Sequence, residues 1–175
     1  MRSVQLSVVL PCYNEEANIR ATVADVLAWC KKQPFSSEIV AVDDGSRDRT
    51  PVILGELDAV HPELRVVRHP ENRGYGMAVR SGCDAAAGTW IAFMDSDGQF
   101  KIEDLGALLP HRESFAFVAG RRRKRMDPLP RVVYGKILAF FNFAVFGMWI
   151  RDVNCGLKVF RSDIWQTIRP EHGIE

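Results

Sequence analysis

Three short apolar runs in this 175-residue chain each break off into a polar cluster, and that repeated pattern limits the folds open to it. Residues 4–10 (Val-Gln-Leu-Ser-Val-Val-Leu) stop at Pro11 and lead into Tyr13, Asn14 and Glu15. Residues 38–42 end in Asp43-Asp44-Gly45-Ser46, and residues 89–94 (Thr-Trp-Ile-Ala-Phe-Met) end in Asp95-Ser96-Asp97-Gly98-Gln99. Runs of this length, rich in β-branched and aromatic residues, read as buried strands. Between the first two, Ile19, Val23, Val26, Leu27 and Cys30 follow helical spacing, in a helix expected to open at Asn14-Glu15-Glu16 and to close at Pro34. A second helix is expected from Thr50, with Pro51 tolerated in its first turn. A third strand is expected at 64–68, a helix after Asn72-Arg73-Gly74-Tyr75-Gly76, a short helix at 104–109 and a fifth strand at 115–119. Strands that alternate with helices build βαβ units, hence an α/β fold of three layers: helices on both faces of a mostly parallel sheet. Ligands of such sheets bind at the carboxyl ends of the strands, so the three polar clusters should meet along one edge.

Composition narrows the partners. At this length the chain reads as a single domain, 1–175, able to bury a substantial core. A formal net charge of +1 gives no overall case for nucleic-acid binding, so any basic function must come from a local patch. Cys12, Cys30, Cys83 and Cys155 are widely spaced with no Cys-x-x-Cys pair, which argues against a zinc site or disulfide framework and for reduced thiols. The apolar run behind Arg2 breaks at Pro11 and soon meets Glu15 and Glu16, too short and too acidic for a secretory leader. Two nucleotide-binding classes also fall away. The first strand is followed by Pro-Cys-Tyr-Asn-Glu with no glycine, unlike a dinucleotide fingerprint, and no Gly-x-x-x-x-Gly-Lys-Ser/Thr loop is present.

The Asp95-x-Asp97 pair carries the sharpest chemistry. Two carboxylates this close repel unless a cation or protons intervene. Oxygen ligands suit Mg²⁺ or Mn²⁺, which keep waters and bind substrate phosphates. Gln99 adds a carbonyl oxygen nearby. Alone, an Asp-Ser-Asp-Gly segment reads as a solvated turn; its place at the end of a buried strand, beside two other polar strand ends, is what points to a metal site.

Taken in order, Pro11-x-Tyr13-Asn14-Glu15, Val42-Asp43-Asp44-Gly45-Ser46, Asn72-x-Gly74-x-Gly76 and Asp95-Ser96-Asp97-Gly98-Gln99 resemble the motifs of family 2 glycosyltransferases, and among them the dolichyl- and polyprenyl-phosphate sugar synthases. The resemblance implies the GT-A, Rossmann-like fold of nucleotide-diphospho-sugar transferases, with residues 1–120 as the nucleotide-binding half. It implies that Pro11, Tyr13, Glu15, Val42, Asp43, Asp44, Ser96 and Arg122 hold a GDP- or UDP-sugar, either Asp43 or Asp44 accepting hydrogen bonds from the base while the other caps the turn. Asp95, Asp97 and Gln99 would hold Mg²⁺ or Mn²⁺. The implied reaction is inverting transfer of the sugar to a polyprenyl or dolichyl phosphate, or alternatively to a glycan or protein hydroxyl. A phosphate acceptor is already an oxyanion and needs no general base. His61, His69, His111 and His172 all fall in expected loops or near helix ends and are expected on the solvated surface.

In the remainder, residues 121–175, the basic run 121–125 follows the fifth strand and suits an anionic lipid surface or acceptor phosphate. Residues 132–150 are strongly apolar, but Lys136, Asn142 and two glycines favour an interfacial amphipathic helix at a cytosolic membrane face over a spanning one, with a buried core helix as the alternative. By resemblance Asp152 would orient acceptor or sugar as a third catalytic carboxylate, and Arg131 and Lys158 would meet a phosphate, with Leu157 standing where the family has Phe. Relatives of this type continue into an Arg…Lys loop over the donor diphosphate, so the chain is expected to be truncated or an inactive nucleotide-sugar-binding fragment if that loop is missing.

Overall fold

The architecture follows from where the chain can hide its backbone polar groups. In the computed structural model, which describes residues 4–98, 100–121 and 155–169, strand β1 (Leu6–Cys12) is buried along its whole length. Such a strand must be paired on both sides. It is: β2 (Ser37–Asp43) pairs with it in parallel on one flank and β4 (Trp90–Met94) on the other. Strand β3 (Leu64–Arg68) extends the parallel sheet beyond β2. The full order is β3-β2-β1-β4-β6-β5, with β5 (Phe117–Ala119) at the edge and β6 (Leu157–Arg161) antiparallel to both of its neighbours.

Helices α1 (Ile19–Cys30), α2 (Thr50–Asp58) and α4 (Ile102–Leu108), the last continued by a 3₁₀ turn at Leu109–Glu113, cover one face. There Leu6, Val8, Leu10, Ile19, Val23, Leu54 and Leu105 form the larger core cluster. Helix α3 (Tyr75–Ala85) covers the other face, where Val9, Val40, Val42, Ala78, Ile91 and Phe160 pack, joined by Trp165 of α5 (Ser162–Ile168). The expected three-layer, mostly parallel α/β/α fold is the one observed. No disulfide joins any of the four cysteines. Among the described residues no helix is long and apolar enough to cross a membrane.

Three expectations are corrected. First, β1 does not stop before Pro11 but runs through it to Cys12. Pro11 lies beyond Val9, the last residue of β1 paired with β4, so one flank of the strand is open there; on this stretch the Pro11 carbonyl instead accepts the Ser96 hydroxyl (2.7 Å). Second, the first helix starts at Ile19, not at Asn14-Glu15-Glu16. Those residues form a turn whose backbone N–H groups are taken by the loop leading into α2 and by the first residue of α2: Asn14 donates to Ser46 Oγ (3.0 Å), Glu15 to Thr50 Oγ1 (2.8 Å) and Glu16 to Asp48 Oδ2 (3.0 Å). Asn14 adopts φ of 55°, a left-handed conformation that asparagine tolerates better than most residues. Third, β6 was not anticipated, although Leu157-Lys158-Val159 alternates apolar and polar as a strand does. Gln99, Arg122, Arg131, Asp152 and the apolar segment 132–150 lie outside the described residues.

Candidate active site

Because β2, β1 and β4 are neighbours running the same way, their carboxyl ends share one edge. The edge opens into a cleft of about 380 Å³ lined by Pro11, Tyr13, Glu15, Asp44, Asp95 and Asp97, with Cys12, Asn72, Gly74, Tyr75, Ala78 and Ser96. Each parallel strand delivers its polar cluster into the same space, as the alternation of strands and helices requires.

The β2 end divides its two carboxylates. Asp43 accepts the Ser46 N–H (3.1 Å) and so caps the turn that follows it; it does not line the cleft. Asp44 does line it, and its oxygens are engaged from behind. Oδ1 meets His69 Nδ1 (2.6 Å) and the Arg73 N–H (3.0 Å), while Oδ2 accepts the Gly74 N–H (2.9 Å). Both aspartates are almost fully buried. Gly45, at φ of 68°, makes the turn between them and the next helix possible; a Cβ there would stand 2.6 Å from the Asn72 nitrogen. Val42 does not reach the cleft: its side chain is in the core under α3, because alternation along a strand sends it to that face.

At the β1 end, Tyr13 exposes an aromatic face to the cleft, and Glu15 is held by the Asn18 amide, which donates to its Oε2 (3.0 Å). At the β4 end, Ser96 is buried and ties the loop down twice: its hydroxyl bonds the Pro11 carbonyl, and its own carbonyl accepts the Thr22 hydroxyl (3.3 Å). Anchoring the middle residue leaves Asp95 and Asp97 on the cleft side, both only half-buried. The Tyr75 hydroxyl donates to Asp95 Oδ1 (2.7 Å). Burial first, then that hydrogen bond and the charges of Asp95 and Asp97, hold the Tyr75 hydroxyl well above the usual phenol range, so it stays a neutral donor. Gly156 packs against the other side of Asp95, where any Cβ would overlap the carboxylate.

This donor set fits a divalent cation: two half-exposed carboxylates in one cleft, one of them braced by a neutral donor. Among the described residues no group of three or more His, Cys, Asp or Glu forms a complete protein cage.

Lys158 does not enter the cleft. It stands over the Phe93 ring (4.9 Å), donates to the Cys155 carbonyl (2.5 Å) and lines a second cavity of about 390 Å³ that shares Asp95 and Tyr75 with the first. Two residues escaped the sequence reading. Tyr75 belongs to both cavities, and only its place just after Gly74 hints at it. His69, expected on the surface, is buried between Asp44 and Ser81, and no sequence signal marks it.

The chain spans about half the length of the curated relatives it matches. A dolichyl-phosphate beta-glucosyltransferase of Trichomonas vaginalis is 31% identical over 177 residues, covering 91% of this chain and 54% of its own. An undecaprenyl-phosphate 4-deoxy-4-formamido-L-arabinose transferase of Photorhabdus laumondii is 32% identical, with 96% and 52% covered. Among solved structures, glucosyl-3-phosphoglycerate synthase from Mycobacterium tuberculosis in complex with Mn²⁺, uridine diphosphate and glucosyl-3-phosphoglycerate shares the fold, with a TM-score of 0.69 at 21% identity over 92% of this chain and 58% of that one. The fold is thus the GT-A fold, and since residues 7–168 match glycosyl transferase family 2, the chain belongs to that family.

Proposed function

We propose that the cleft binds a nucleotide-sugar, GDP- or UDP-linked, with a divalent cation, and that the protein of which this chain is part or whole transfers the sugar to a polyprenyl phosphate with inversion. The observation that carries this reading is the meeting of three polar strand ends in one cleft, with the Asp95–Asp97 pair at one end and Tyr13, Glu15 and Asp44 at the other. The relatives named for dolichyl and undecaprenyl phosphate support the acceptor class.

In this reading Tyr13 offers a flat apolar face to the base, and Glu15 accepts from base or ribose. Asp95 and Asp97 hold Mg²⁺ or Mn²⁺, with Gln99 as a further oxygen ligand. When bound, the cation supplies Lewis-acid stabilisation of charge on the departing diphosphate. Tyr75 and Gly156 keep the Asp95 carboxylate in place by a hydrogen bond on one side and close backbone packing on the other. An acceptor phosphate brings its own electron pair to the sugar C1: the new C1–O bond forms as the C1–O bond to the diphosphate breaks, and no proton needs removal. Lys158, Arg122 and Arg131 are assigned to phosphate groups, and Asp152 to orienting acceptor or sugar. The basic run and the apolar segment 132–150 are assigned to the cytosolic membrane surface.

Incubation with labelled GDP- and UDP-sugars, Mg²⁺ or Mn²⁺ and a polyprenyl phosphate tests this directly. Label should pass into the organic phase, and EDTA should stop it. Label that appears only in water-soluble glycan or protein would redirect the acceptor assignment; transfer that continues in EDTA would refute the metal assignment.

A further inference from the structure

The buried pair His69–Asp44 goes beyond the donor contacts just described. His69 Nδ1 lies 2.6 Å from Asp44 Oδ1 and His69 Nε2 lies 2.8 Å from Ser81 Oγ on α3, with His69 and Asp44 both almost fully removed from solvent. A carboxylate only accepts, so Nδ1 carries the proton and the Ser81 hydroxyl donates to Nε2 when the ring is neutral. Burying such a pair is a poor source of net stability, since desolvation offsets most of the attraction. What it does well is fix geometry, because a buried polar network with all members bonded has one low-energy arrangement.

The geometry it fixes runs into the cleft. With His69 holding Oδ1, Asp44 is oriented to take the Arg73 and Gly74 N–H groups, which sets the loop 72–74 along the cleft wall. Gly74 immediately precedes Tyr75, the residue whose hydroxyl braces Asp95. A continuous path therefore joins Ser81, His69, Asp44, the loop and Asp95. We propose that His69 is a positioning residue for the sugar-nucleotide cleft, holding Asp44 so that the loop 72–74 and Tyr75 are set before a nucleoside diphosphate binds. The ligand named here rests on the function proposed above; the positioning role does not.

The test compares His69→Ala, His69→Asn and Ser81→Ala in the full chain, by amide hydrogen exchange and by calorimetric titration of UDP and GDP with Mn²⁺. In His69→Ala the Arg73 and Gly74 amides should lose protection while those of β1, β2 and β4 keep theirs. Affinity for whichever nucleoside diphosphate the native chain binds should fall by about tenfold, the scale of one lost charge-assisted hydrogen bond. His69→Asn, whose amide can donate from near the Nδ1 position, should recover to within about threefold of native, and Ser81→Ala should lose about threefold. If His69→Ala does not fold, the other two variants carry the test by the same two readouts. Native protection at Arg73 and Gly74, protection lost throughout the sheet, or His69→Asn no better than His69→Ala would each overturn the proposal. Failure of the native chain to bind either nucleotide would strike the proposed function, while the exchange at Arg73 and Gly74 would still decide the role of His69.

Discussion

The Asp43-Asp44 pair at the end of β2 and the Asp95-x-Asp97 pair at the end of β4 stand two strands apart on the same sheet edge, and their surroundings give them different work. The first pair is buried and engaged by the protein: a turn N–H on Asp43, and His69 with two loop N–H groups on Asp44. The second is half-exposed in the cleft, with the residue between its members pinned by Pro11 and Thr22. A carboxylate surrounded by backbone donors organises loops. One held at a cleft wall by its neighbours, facing a second carboxylate, is suited to an exogenous cation. The expected positions of both pairs follow from chain periodicity, while the division of labour depends on three-dimensional partners.

Substitution should separate the two. Asp97→Ala should remove sugar transfer by at least about a hundredfold while changing unfolding free energy by less than about 1 kcal/mol, because a half-exposed carboxylate contributes little to stability. Asp44→Ala should instead lower unfolding free energy by about 2–3 kcal/mol in urea titration, since it leaves the buried His69 and two loop N–H groups without their acceptor. A stability loss at Asp97 as large as that at Asp44 would erase the distinction.

Within the β4 end, Gly156→Ala should lower kcat/KM by about tenfold, as the new methyl group pushes Asp95 off its position. Tyr75→Phe should be milder, raising the apparent Kd for Mn²⁺ by about threefold through loss of one hydrogen bond. The smallest effect is a null one in alkali. The fold favours the neutral Tyr75 phenol, so its contribution to stability is complete below the ordinary tyrosine pKa of about 10 and is lost progressively as pH rises from there towards the raised folded-state value. Absorbance at about 295 nm should therefore rise equally in native protein and Tyr75→Phe between about pH 7 and 11; a smaller rise in the variant would show that Tyr75 ionises normally.

Much of the fold was legible because parallel strands advertise themselves. The buried runs ending at Asp43 and Met94 are short, apolar and β-branched or aromatic, and the helix repeat Ile19-Val23-Val26-Leu27 between strands leaves few alternatives. The start of α1 was not, because the turn at Asn14–Glu16 is stabilised by partners more than thirty residues away. In the site, Tyr13, Glu15, Asp44, Asp95 and Asp97 were placed on one edge by topology alone, and the cleft gathers them. Val42 and Asp43 share that strand end but not the cleft, because side-chain alternation and an Asx-type cap turn them elsewhere. His69 was unreadable for the opposite reason. Its role comes from a bond to a residue 25 positions earlier, and nothing in its local sequence distinguishes it from a surface histidine.

The central claim is that the β4-end pair holds a cation which in turn carries a nucleoside diphosphate. Calorimetric titration of the native chain and of Asp97→Ala with UDP and with GDP, in Mn²⁺ and in EDTA, tests it most directly. The expected result is binding of one nucleotide by the native chain in Mn²⁺, weakened at least about a hundredfold both by EDTA and by the substitution. Equal affinity in all four conditions would contradict it.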